Sequence, residues 1–121
     1  MALTENPVYI HEPTDLQCGQ AVIAMLSGST VNDVIELTGT DRETDLKQML
    51  SALDYYGIKY IKERKMAQKK GDLPPVALLS LETPRCWHWS LYFKGRFLDP
   101  EHGELDDFPE AKRKYYWEII I

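Results

Sequence analysis

Between Ala21 and Leu26 every side chain is apolar, and Gly28 closes the run. A helix that is apolar all round is buried on all sides, so this segment predicts a short helix in the core. Upstream, Thr14-Asp15-Leu16-Gln17 has the form of a capping box, which places Cys18 in the first turn. Two amphipathic helices follow. Thr30 and Asp33 form a second capping pattern ahead of Val31, Val34 and Ile35 on one face. Thr40 and Glu43 form a third, ahead of Leu46, Met49, Leu50 and Leu53, with Gly57 as the stop.

After Gly57 the period changes. Ile58-Lys59-Tyr60-Ile61 reads as strand, 69–75 as loop, and Val76 to Leu81 as a buried strand. Residues 87–99 alternate about a Lys94-Gly95 turn and predict a hairpin. Tyr115 to Ile121 predicts a last strand inside the sheet, because an exposed Ile119-Ile120-Ile121 edge would aggregate. Helices first and antiparallel strands later predict an α+β fold: a central buried helix and further helices packed on an antiparallel sheet.

The chain of 121 residues fits one domain over 1–121. A net charge of −5 does not favour nucleic acid as a partner. Six Lys or Arg between Lys59 and Lys70 face only Glu63, and read as a solvated strand end and loop. The N-terminus lacks a charged n-region and an apolar h-region, and the six-residue apolar run is too short for a membrane. Cytoplasmic residence with free thiols is the expectation, with signal-independent delivery as the alternative. Two cysteines do not make a disulfide scaffold.

A cysteine at a helix start lies at the positive end of the macrodipole, which favours thiolate. Gly19 beside it leaves room for a substrate backbone. Of the three histidines, His88 shares a strand face with Ser90 and Tyr92, opposite an apolar set of Trp87, Trp89, Leu91 and Phe93. It is expected to look towards a cleft or solvent. If Lys94-Gly95 is a two-residue turn, Phe93 pairs with Arg96 and Ser90 with Asp99, so Asp99 lies diagonal to His88 on the same face. A carboxylate there can hold one imidazole nitrogen while the other serves a nucleophile. His102 sits in a turn-rich segment and is expected to be exposed; the direction of His11 is open. Cys18, Cys86, His88 and His102 could in principle bind zinc, but no pair has the tight spacing of structural sites. Neither a metal nor a cofactor is expected.

These residues carry a resemblance. Cys18-Gly19-Gln20-Ala21, continuing to Ala24-Met25-Leu26 and Gly28, resembles the nucleophile helix of the bacteriocin-processing peptidases, a papain-like family that removes double-glycine leaders. His88-Trp89, Leu91-Tyr92, Gly95 and Asp99-Pro100 resemble that family's histidine strand and aspartate turn. The match covers roughly the first thirty residues and 76–103. It implies a papain-like fold with a Cys18–His88–Asp99 triad that cleaves peptides or amides through a thioester. The family usually has a glutamine six residues before the cysteine, whose amide helps bind the oxyanion. This chain has Glu12 there. A carboxylate repels developing negative charge, and loss of one oxyanion donor costs about 10²–10³ in rate. Glu12 is protonated, or Gln17 or Gln20 takes the role, or the chemistry is impaired. The capping box gives Gln17 another use, and Gln20 another as a solvent-facing helix position.

A cysteine peptidase or amidase acting on a peptide or protein substrate is the leading expectation. A peptidase-like module that holds a peptide or partner protein without cleaving it is the rival, and acyl transfer or deamidation by the same triad is the third. The sequence leaves the oligomeric state open.

Overall fold

A computed structural model describes residues 6–120. Helix α1 spans Cys18–Ser27, and all ten of its residues are buried. Gly28 takes a left-handed conformation (φ 74°) and returns its N–H to the Ala24 carbonyl. The upstream capping box does not form. Gln17 occupies the N-cap without a side-chain bond, and the Thr14 hydroxyl accepts from Leu16 N instead.

Helix α2, Val31–Thr38, is capped by Thr30, whose hydroxyl accepts from Asp33 N at 3.1 Å. Helix α3, Leu46–Tyr55, starts later than the Thr40–Glu43 pattern suggests. Its capping box is Asp45 with Gln48, while Thr40 accepts from Arg42 N in the preceding loop.

Among the described residues six strands follow: β1 Lys65–Met66, β2 Val76–Glu82, β3 Trp87–Phe93, β4 Arg96–Asp99, β5 Gly103–Leu105 and β6 Lys114–Glu118. They form one antiparallel sheet in the order β1-β6-β2-β3-β4-β5. The expected strand at Ile58 to Ile61 contracts to a bridge between Tyr60 and Ile119. β6 lies between β1 and β2, inside the sheet as expected, but it stops at Glu118. Ile119 is buried beyond it, Ile120 is partly exposed, and Ile121 lies outside the described residues.

The helices pack on one sheet face, where Val22, Met25, Met49 and Leu53 meet Leu78, Leu91, Phe93 and Trp117. On the other face, Ala77, Leu79, Leu81, Tyr92 and Phe97 are covered by Leu73 and Phe108 from loops. Burial on both faces explains why β2 reads as a continuous apolar run rather than an alternating one. Each fully buried Leu or Ile contributes about 1.5–3 kcal/mol. Trp87 departs from the core set assigned to it: it is half exposed at the strand start and stacks on Tyr115.

Candidate active site

The Lys94-Gly95 turn has two residues, both with positive φ (47° and 92°), and sets Phe93 opposite Arg96 and Leu91 opposite Leu98. One further step along that register brings Asp99 beside Ser90, and the Ser90 hydroxyl donates to Asp99 Oδ2 at 2.8 Å. His88 lies diagonal to it. Its Nε2 donates to Asp99, at 3.0 Å from Oδ1 and 3.1 Å from Oδ2. His88 does not face open solvent; it looks towards Cys18 and Glu12. It is only 4% exposed, and Asp99 is fully buried.

Asp99 survives burial because it is saturated with donors. Besides His88 and Ser90, its Oδ1 accepts from the backbone N–H groups of Glu101 (3.0 Å) and His102 (2.9 Å) and from His102 Nδ1 (2.9 Å). Burial alone would raise this carboxyl. The bonds from His88 and Ser90, with the His88 charge, outweigh it and hold the pKa at about 2. For His88 burial works downward, but hydrogen bonds to Asp99 and Cys18 and their charges prevail and push it up to about 10. Both shifts favour the charged forms, an imidazolium held against a carboxylate.

Cys18 closes the constellation. β4 stops at Asp99, and beyond its end Cys18 Sγ accepts from the Trp89 N–H at 3.4 Å. Cys18 as a residue is 7% exposed. Cys18 Sγ, a ring nitrogen of His88 and a carboxylate oxygen of Glu12 lie within 4.8 Å of one another. With Nε2 committed to Asp99, Nδ1 is the nitrogen left for the sulfur.

Glu12 reaches this point because the chain before α1 is tied to the β4–β5 turn. Glu12 N donates to the Pro100 carbonyl at 2.9 Å, and the Tyr9 hydroxyl donates to the Asp99 carbonyl at 2.5 Å. Glu12 is 4% exposed, and its Oε1 has no hydrogen-bond partner. Burial raises its pKa, and the charges of Glu101, Asp99 and Asp15 add to that, against the lowering effect of His88.

The two glutamines point elsewhere. Gln17 Nε2 donates to the Asp41 carbonyl at 3.0 Å. Gln20, far from being solvent-facing, is fully buried and donates to the carbonyls of Thr40 and Arg42. Both pin the α2–α3 loop against α1. Gly19 is likewise enclosed by the protein itself: a Cβ there would collide with the Thr44 hydroxyl and crowd Met49 and Trp89. The space expected for a substrate backbone is filled.

Of the four residues weighed as zinc ligands, Cys86 stands apart. It is exposed in the β2–β3 turn and belongs to neither cluster of ligating atoms among the described residues. His102 is exposed, as expected, yet it also braces Asp99 and packs edge-on to His88 with ring centroids 6.1 Å apart. Sequence reasoning missed this role. The available signal was the Asp-Pro-Glu-His turn, in which an aspartate commonly caps amides two and three residues on. His11 turns its Nδ1 back to the Glu12 carbonyl.

Comparison with protein-family models, with curated proteins and with solved structures finds no match to this chain. Among the described residues, no helix is long and apolar enough to cross a membrane.

Proposed function

We propose that this protein is a cysteine-dependent peptidase or amidase of papain-like type. The observation that carries the reading is the line Cys18–His88–Asp99: a helix-start sulfur within 4.8 Å of an imidazole whose far nitrogen is held by a buried, donor-saturated carboxylate. The Cys18 sulfur attacks the amide carbon, and the His88 Nδ1 proton passes to the leaving amine. Water, deprotonated by the same nitrogen, then releases the acid from the thioester. Asp99 keeps Nε2–H pointed at itself, which fixes the tautomer. The first-turn amides of α1 have no intrahelical acceptor and are the natural backbone donors to the oxyanion.

A peptidyl epoxide tests this reading, because opening its ring needs a nucleophilic thiolate and a proton donor beside it. One adduct per chain on Cys18, lost in Cys18→Ala, is the expected result. No adduct, or one on Cys86 alone, would count against it.

Glu12 favours a second reading, a catalytically impaired module that holds a peptide or partner protein. An ionised carboxylate beside the sulfur opposes oxyanion formation. On that reading Cys18→Ala retains peptide or partner binding, and no hydrolysis accompanies it. Deamidation and acyl transfer use the same thioester and differ in acceptor, so intact-mass analysis of a treated substrate separates them.

A further inference from the structure

Glu12 Oε1 is a buried carboxylate oxygen without a partner, and such a group is costly unless a cation or donor meets it. A carboxylate oxygen of Glu12, the Cys18 thiol and an imidazole nitrogen of His88 lie within 4.8 Å of one another. We propose that Cys18 Sγ, His88 Nδ1 and Glu12 bind one zinc ion, with a fourth position open to water, and that the bound ion silences the thiol.

Sulfur, nitrogen and carboxylate oxygen are the three ligand types zinc takes. Bonds of about 2.0–2.3 Å in a tetrahedron put ligand atoms roughly 3.3–3.8 Å apart, so closing the set around an ion asks for movements of about 1 Å. The outer layer is already in place. A zinc-bound histidine usually donates its other N–H to a carboxylate, and His88 Nε2 does so to Asp99. Binding to the thiolate–imidazolium pair releases the Nδ1 proton to solvent and puts metal bonds on the sulfur and on Nδ1, with no change of oxidation state.

The neighbouring trio of His88, Asp99 and His102 is a poorer candidate, because Asp99 already accepts from both histidines, Ser90 and two backbone amides. Only the Glu12 group has an oxygen left over.

The metal site stands on geometry alone; its inhibitory effect rests on the function proposed above. The test is cobalt(II) titration of the full chain in a Cys86→Ser background, which removes the exposed thiol. The expected result is one ion per chain with a sulfur-to-cobalt charge-transfer band, displaced by zinc. The band is lost in Cys18→Ser, and Glu12→Gln, checked for folding by circular dichroism, binds cobalt at least ~10-fold more weakly. No band at millimolar cobalt, or equal affinity in folded Glu12→Gln, overturns the proposal. Epoxide labelling in EDTA is scored separately. A protein that binds cobalt but resists the epoxide keeps the metal site and loses the enzyme, and the reverse outcome does the opposite.

Discussion

His88 and Asp99 meet across two adjacent strands through one imidazole nitrogen set almost equally between two carboxylate oxygens, 3.0 and 3.1 Å away. Two features follow from that contact. The proton on Nε2 is committed, so only Nδ1 is available for chemistry. The carboxylate, in turn, can be buried only because every neighbour donates to it.

Asp99→Asn removes the charge and places an amide where donors already converge. Breaking a buried pair from one side costs about 3–5 kcal/mol, so chemical denaturation should show a loss of that order. Hydrolysis should fall by at least ~10² even under conditions where the variant remains folded, because Nε2 loses its orienting acceptor. Ser90→Ala, which removes one of several donors, should cost about 1–2 kcal/mol.

The same pair predicts the direction of pH dependence. His88 has a folded pKa of about 10, above its unfolded value, so its contribution is complete below about pH 6.5 and fades as pH rises towards 10. Asp99 is held at about 2, so its contribution is complete above about pH 4 and fades as pH falls through 2. Melting temperature should therefore be highest between roughly pH 4 and 6.5 and decline on the alkaline side. In His88→Gln the alkaline decline should flatten; an unchanged slope would show that other groups cause it.

Glu12 should shape the pH profile of turnover. Protonated, its carboxyl can donate to an oxyanion; ionised, it repels one. Burial raises its pKa, so the wild type should lose kcat/KM as Glu12 ionises, while Glu12→Gln holds its rate into the alkaline range. At the alkaline end the variant should exceed the wild type by about 10-fold or more. Superimposable profiles would remove Glu12 from the oxyanion site.

Gly19 is fixed by packing. Gly19→Ala drives a methyl into Thr44, Met49 and Trp89, and should lower stability by about 1–3 kcal/mol. Because Trp89 N also donates to Cys18 Sγ, the shift should disturb the site as well, seen as slower thiol labelling in protein that is still folded.

Much of the site was legible from local pattern. The buried helix followed from an apolar run and a closing glycine, and Cys18 lies at its start although the capping box that placed it there does not form. The His88–Asp99 contact followed from strand parity once Lys94-Gly95 was read as a two-residue turn, since side chains alternate with a period of two. What escaped was long-range or very short. Gln17 and Gln20 bind carbonyls twenty or more positions on, which no capping pattern encodes. Strands β1 and β5, of two and three residues, carry too little alternation to register. The Thr14 and Thr40 patterns had the right residue types, but their hydroxyls satisfied amides two positions on, a local alternative open to such side chains.

The central claim is that Cys18 is an activated nucleophile, and competitive alkylation tests it most directly. Cys18 is nearly buried and Cys86 is exposed, so accessibility alone favours Cys86. With limiting iodoacetamide, the account predicts that Cys18 is labelled first and that His88→Ala removes its advantage. Faster labelling of Cys86, or equal and slow labelling of both, would contradict it.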